Sequence, residues 1–362
     1  MQNKKEKEKL ISIIVPVYNT SKYVYKCLES IKEAITDDCE VLVINDGSTD
    51  NSKDIIKDFI KELPTKNKNQ FKLYTKENGG LADTKNYGIE HSTGKFLSFI
   101  DSDDYISKDF YRVAIPYLDK YDVIIYDLYA IFENKNEDIF NYVSRAYNDK
   151  FDLLEDCVLN GEMQGSSCNK IIKRELYKYK FPKGKQYEDV AVTPFILIDA
   201  NKIKYLPYAM YYYLQRNTSI VGTNTLYDAF YKICNNINDV LENDEKKMKK
   251  YEKVIDLFYI SRCIENLELN IKKDKKNVEN NLKEFYEHSK NTINYIIKSN
   301  LIERSNYNLT SNQKKMISKF YKELIEEKYN EAAKLFELRN KVNYIRTIGN
   351  SGKSFLKSFI GG

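Results

Sequence analysis

Between residues 11 and 100 the chain repeats one pattern. A short apolar run ends in a polar cluster, and a segment with apolar residues at helical spacing follows. Ser12 to Val17 is the first run, with Val24, Leu28, Ile31 and Ile35 spaced as a helix behind it. Glu40 to Ile44 is the second; it ends in Asn45-Asp46-Gly47-Ser48-Thr49-Asp50, and Ile55, Ile56, Phe59 and Ile60 mark the next helix. Phe71 to Thr75 reads as a third strand, followed by Asn78-Gly79-Gly80 and a helix through Gly88. The fourth, Phe96 to Ile100, runs into Asp101-Ser102-Asp103-Asp104. Apolar runs of this length, bounded by turn residues, read as buried strands. Strands alternating with helices predict an α/β fold with a mostly parallel, Rossmann-like sheet and flanking helices. No GxGxxG follows any of the strands, so a dinucleotide site lacks its fingerprint.

The Asp101-Ser102-Asp103-Asp104 cluster falls at a strand's C-terminal end, where open α/β sheets bind ligands. Crowded carboxylates repel, and a hard divalent cation relieves that repulsion. Mg²⁺ and Mn²⁺ take oxygen ligands, commonly one or two carboxylates plus substrate phosphates. The same residues would also make a polar turn with a helix N-cap. The remainder of the chain has to decide between the two.

Composition narrows the options. With 362 residues, two domains are expected. A net charge of +5 is small beside 58 Lys+Arg and 53 Asp+Glu, which argues against a nucleic-acid partner. The six cysteines (27, 39, 157, 168, 234, 263) form no CxxC pair, and with two histidines no His/Cys zinc site is expected. Buried, reduced thiols are the natural reading. No apolar stretch reaches the roughly 18–20 residues that span a bilayer. The run Ile11 to Val17 is broken by Pro16 and is too short for a signal peptide. These features predict a cytoplasmic protein.

From about residue 223 strand signals stop. Leu226, Phe230, Ile233, Ile237 and Leu241 follow helical spacing, as do Val254, Leu257, Phe258, Ile264 and Leu267. A longer pattern runs from Met316 through Phe320, Leu324 and Ala332 to Phe336. The expected organisation is a charged N-terminal tail (1–9), an α/β domain (10–222), a helical domain (223–345) and a C-terminal tail (346–362). In that tail Phe355, Leu356, Phe359 and Ile360 alternate with Lys353 and Lys357. A short basic amphipathic helix of this kind suits peripheral contact with the inner face of the cell membrane, or docking on the helical domain or a second copy.

Four segments in order carry a resemblance: Ile13-Ile14-Val15-Pro16-Val17-Tyr18-Asn19, Val43-Ile44-Asn45-Asp46-Gly47-Ser48-Thr49-Asp50, Asn78-Gly79-Gly80-Leu81-Ala82-Asp83-Thr84-Lys85-Asn86-Tyr87-Gly88, and Phe99-Ile100-Asp101-Ser102-Asp103-Asp104. Together they resemble family 2 glycosyltransferases with the GT-A fold over residues 10–222. Asn169-Lys170, Glu188-Asp189 and the segment Tyr213 to Ile220 match later features of bacterial members that build surface glycans.

The resemblance implies roles. Pro16 and Tyr18 would border a nucleotide base, with the Tyr18 ring as a stacking face. Asp46 would accept a hydrogen bond from the uracil imide or the ribose; the family often has two Asp there, where this chain has Asn45-Asp46. Asp103 would bind Mn²⁺ or Mg²⁺ beside the donor phosphates, and Asp101 the ribose or the metal's water shell. Asp189 would be the catalytic base of an inverting transfer. Lys85 stands where many relatives have Arg; it would reach the diphosphate or remain a solvated helix charge. Arg216 would clamp the diphosphate or lie on the surface. Lys170, Lys173, Arg174, Lys178, Lys180, Lys183 and Lys185 would face an anionic acceptor such as a polyisoprenyl diphosphate, or simply be solvated. The implied donor is a UDP-sugar, and the acceptor a glycan or lipid-linked hydroxyl. Two alternatives remain at this point: a non-catalytic sugar-nucleotide or glycan-binding scaffold, and a sugar nucleotidyltransferase.

Overall fold

The structure is a computed structural model, which describes residues 9–132, 166–185, 188–189, 191–215, 246, 278–298 and 311–340. Its sheet begins with β1 (Ile11–Val17), followed by α1 (Val24–Ala34), β2 (Cys39–Asp46), α2 (Ser52–Glu62), the short α3 (Thr65–Lys68), β3 (Phe71–Lys76), α4 (Leu81–His91) and β4 (Phe96–Phe99). Every residue of β1, β2 and β4 is buried, which is why these runs carry no polar alternation. β5 (Tyr105–Ile106), α5 (Phe110–Ala114), β6 (Val123–Phe132), β7 (Lys170–Lys173), α6 (Thr193–Asp199) and β8 (Ile203–Gln215) complete this part.

The described strands form one eight-stranded sheet in the order β3-β2-β1-β4-β7-β6-β8-β5. β1 pairs in parallel with both β2 and β4, and β2 with β3. β7 runs antiparallel between β4 and β6, β6 and β8 are parallel, and β5 is antiparallel to β8. The strand order reverses at β1, so a crevice opens beyond the carboxyl ends of β1 and β4, as expected of an open α/β sheet. At the opposite end Glu40 is buried and accepts hydrogen bonds from Ser12 Oγ (2.6 Å), Thr93 N (2.7 Å) and Lys72 Nζ (3.0 Å). Burial alone would raise its carboxyl; these donors outweigh that and hold it below the usual range.

One close approach sets the position of α4. A Cβ at Gly88 would lie 2.4 Å from Ile14 Cγ2 and 3.0 Å from Ile44 Cδ1. Only glycine lets the helix rest this tightly on β1 and β2. Lys85 and Ala82 are one and two turns back on the same face, so they too point at the sheet.

The chain divides into two compact units, Met1–Lys150 with Gln164–Thr223, and Phe151–Met163 with Asn224–Gly362. In the second unit the described helices are α7 (Val278–Lys298), α8 (Ser311–Ile325) and α9 (Tyr329–Asn340). They bury Leu282, Tyr286, Ile293, Phe320, Leu324 and Ala332. The single long pattern expected from Met316 to Phe336 is two helices instead. Glu327 adopts φ +57°, and the N–H groups of Glu327 and Lys328 return to Leu324 O and Glu323 O, which closes α8. The patterns expected at residues 226–241 and 254–267, and the 346–362 tail, lie outside the described residues. No helix among the described residues is long and apolar enough to cross a membrane.

Candidate active site

The loops after β1 and β2 are stitched together. Asn19 sits at φ +52°, a conformation asparagine tolerates. Its Oδ1 accepts from Thr49 N (2.8 Å) and Asp50 N (3.3 Å), and its N–H donates to Ser48 Oγ (3.1 Å). Thr20 N donates to Ser52 Oγ, and Ser21 N to Asp50 Oδ2, both at 2.9 Å. Thr20 Oγ1 also reaches Ser102 Oγ at 3.0 Å, tying this pair of loops to the turn after β4. Tyr18 stands half exposed beside them, whereas Pro16 is buried inside β1 opposite Ile44.

Asp46 ends β2, 2 % exposed. Its Oδ1 accepts from Lys76 Nζ (2.5 Å) and Gly79 N (2.9 Å), and its Oδ2 from Gly80 N (2.9 Å). The carboxylate therefore holds the glycine turn that opens α4. Lys76 lies between Asp46 and Asp83, 2.7 Å from the latter.

The turn after β4 is pinned to β8. Asp101 N donates to Tyr211 Oη (3.2 Å), which in turn donates to Asp104 Oδ2 (2.6 Å); Leu214 N donates to Asp104 Oδ1 (2.8 Å). Asp104 is thus a buried structural carboxylate, while Asp101 and Asp103 are half-buried at the crevice. Burial pushes Asp101 up to about 7; the Lys85 cation opposes this, and the charges of Asp103, Asp189 and Glu188 add to it.

Lys85 is where the two acidic segments meet. It is 2 % exposed, with Nζ 2.8 Å from Glu188 Oε1, 3.1 Å from Ser167 Oγ and 3.9 Å from Asp189 Oδ2. This corrects the solvated-charge reading: the face it shares with Ala82 and Gly88 drives it into the sheet. Burial would lower its pKa, but Glu188, Asp189 and Asp101 together hold it protonated, well above the ordinary lysine value. Asp189 is half-buried, and its Oδ2 also accepts from Ser167 N (3.2 Å). Val192 N and Thr193 N donate to Asp189 O, so Asp189 leads directly into α6.

The basic stretch is divided among separate partners. Lys170 is buried and donates to Ser166 O and Asn169 Oδ1, both at 2.8 Å. Lys173 lies between Asp122 and Glu175, Lys178 pairs with Asp199, Lys180 with Glu90 and Lys183 with Asp83. Arg174 donates to Ser92 O. Arg216 lies outside the described residues.

A model of glycosyl transferase family 2 matches residues 12–180. EpsH of Bacillus subtilis is 30 % identical over 260 residues, 69 % of this chain and 74 % of EpsH. The chain belongs to glycosyl transferase family 2. Glycosyltransferase GlyG of Streptococcus pneumoniae is 28 % identical over 226 residues, 59 % of this chain and 73 % of GlyG. The match to GlyA of the same organism, 30 % identical over 221 residues, spans 31 % of that protein. Among solved structures, residues 1–349 of S. aureus TarS in complex with UDP-GlcNAc superpose with a TM-score of 0.61 at 19 % identity, covering 92 % of each chain. The shared fold is the GT-A type expected from the four motifs.

A family 2 glycosyltransferase is an enzyme, so the scaffold and nucleotidyltransferase readings fall away. Among the described residues, no group of three or more His, Cys, Asp and Glu side chains could hold a metal ion by itself. Two residues of the site carried no assigned role in the sequence reading, Glu188 and Ser167, both of which contact Lys85. A signal for them exists: a lysine three residues after Ala82 and three before Gly88 sits on an inward helix face and requires a buried anion.

Proposed function

We propose that this family 2 enzyme transfers a sugar from a UDP-linked donor to a hydroxyl of a glycan or lipid-linked acceptor, inverting the anomeric centre, in bacterial surface polysaccharide synthesis. The observation that carries the reading is one buried lysine paired with Glu188 and Asp189 of the 188–189 turn and in electrostatic reach of Asp101, which follows β4 at the sheet's switch point. One fold neighbour supports the donor class: TarS was solved with UDP-GlcNAc and with UDP.

The donor set suits a hard cation of limited protein ligation. Asp103 would hold Mn²⁺ or Mg²⁺ with donor phosphates and water as the remaining ligands. A mannosyltransferase from Pyrobaculum calidifontis with the same fold was solved with GDP-Man and Mn²⁺, at a TM-score of 0.50. When bound, such an ion neutralises charge on the departing diphosphate.

The chain's own residues supply the rest. Tyr18, half exposed, offers a ring to the base, and Asp46 keeps the neighbouring glycine turn in shape. Asp101, half-buried in the turn after β4, would take the ribose. Asp189 takes the proton from the acceptor hydroxyl as its oxygen attacks the anomeric carbon. One carboxylate opposite the leaving group permits a single in-line displacement and hence inversion.

Asp189→Asn is the test. The amide is nearly isosteric but a very poor proton acceptor, so transfer should fall by about 10²–10⁴ while nucleoside diphosphate still binds. NMR of the wild-type glycoside product should show the inverted anomer. A retained anomer, or near wild-type turnover in the variant, rejects the mechanism.

A further inference from the structure

We infer that Lys85 acts as a positioning residue for the transfer, fastening the 188–189 turn to α4 so that Asp189 is held at the acceptor side, and that it does not contact the donor diphosphate. The inference rests on the reading of Asp189 as the base.

Geometry carries it. The ammonium is enclosed: Glu188 Oε1 and Ser167 Oγ accept from it, Asp189 Oδ2 is 3.9 Å away, and the rings of Phe181 and Phe99 stand 5.3 and 5.8 Å from it. Ring faces attract a cation and close its remaining side to water. The next residue completes the fastening. Asn86 donates from Nδ2 to Phe181 O (2.8 Å) and accepts at Oδ1 from Phe181 N (2.9 Å), so α4 grips the 181–189 segment at both ends. Ser167 serves both partners, its hydroxyl taking Lys85 and its N–H taking Asp189 Oδ2.

Electrostatics agree. The acidic groups that act on Lys85 most strongly are Glu188, Asp189 and Asp101, and the first two lie within 4 Å of its ammonium at 2.8 and 3.9 Å. A site already negative around this lysine does not draw a diphosphate to it. Truncating one partner of a buried pair leaves the other uncompensated, so losing Lys85 should push Glu188 and Asp189 apart and release the turn.

The experiment compares Lys85→Met, Lys85→Arg and Glu188→Gln in the full chain, with initial rates over donor concentration and a titration of free UDP. For Lys85→Met, kcat should fall about 10²-fold, the lower bound for loss of a general base, with donor KM and UDP affinity within about threefold of wild type. Lys85→Arg keeps the charge and should restore most of the lost kcat. A large rise in donor KM with little change in kcat would place Lys85 on the diphosphate and overturn the inference, as would wild-type kcat in Lys85→Met. If Lys85→Met does not fold, Glu188→Gln decides: lowered kcat at constant KM supports the fastening role, and wild-type kcat refutes it. Asp189→Asn separates the two levels. An active Asp189→Asn enzyme sinks the base reading, whereas an inactive one beside fully active Lys85 and Glu188 variants sinks only the positioning role.

Discussion

Asp46→Ala probes whether the carboxylate at the end of β2 builds the site or only reads the donor. The side chain takes three hydrogen bonds, from Lys76 Nζ, Gly79 N and Gly80 N, while 2 % exposed. Bonds to a charged group are worth about 1.5–3 kcal/mol each, but three sharing one carboxylate do not add. Two effects soften the loss: Lys76 keeps Asp83, and the half-buried glycine turn admits water to the freed N–H groups. The expected destabilisation is therefore about 3–5 kcal/mol, the scale for removing one partner of a buried pair, or a melting shift of about 6–20 °C for a domain of this class. Asp46→Asn keeps one acceptor oxygen and should fall between. If the base imide also donates to Asp46, affinity for free UDP should drop roughly 10- to 150-fold. Differential scanning fluorimetry and calorimetric titration of UDP measure the two effects separately. Lower UDP affinity at an unchanged melting temperature would refute the turn-building argument, because the three bonds would then contribute nothing to the fold.

Two further outcomes follow from named residues. Asp103→Asn should abolish turnover and weaken metal-dependent donor binding, measured by UDP release with and without Mn²⁺; full activity in excess EDTA, or an active variant, contradicts the assignment. Asp50 accepts from Ser52 N and Ser21 N at the loop junction, and despite the opposing effect of burial its carboxyl is held down from 3.8 to about 2. A depressed carboxylate stabilises the fold above its unfolded value and loses that contribution as pH falls through the folded one. The melting-temperature gap between wild type and Asp50→Asn should thus be full at neutral pH and close between pH 3.8 and about 2; a gap constant across that window removes Asp50 from the loop's stability.

β1, β2 and β4 were legible because each is buried on both faces, which leaves a nearly unbroken apolar run bounded by turn residues; the partly exposed edge strand β3 was marked by the helical segment before it and the Asn78-Gly79-Gly80 turn after it. The break at Glu327 in the C-terminal helices was not legible, because no glycine or proline marks it and backbone hydrogen bonds make the closure. The basic stretch from Lys170 to Lys185 could not be apportioned from its composition. Its partners Asp83, Glu90, Asp122 and Asp199 are scattered along the chain and meet it only across packed elements.

The sequence by itself determined the parallel sheet, the strand ends that carry Asp46 and Asp101–Asp104, and membership of the family, since local periodicity and short motifs encode all three. Only the tertiary structure decided what those residues touch. Asp46 is committed to a glycine turn because α4 begins against it, and Lys85 is buried because Gly88 brings its helix onto β1 and β2. Glu188 became its partner across 103 positions of chain. Long-range pairing of this kind depends on where elements come to rest, and no local pattern of residues records it.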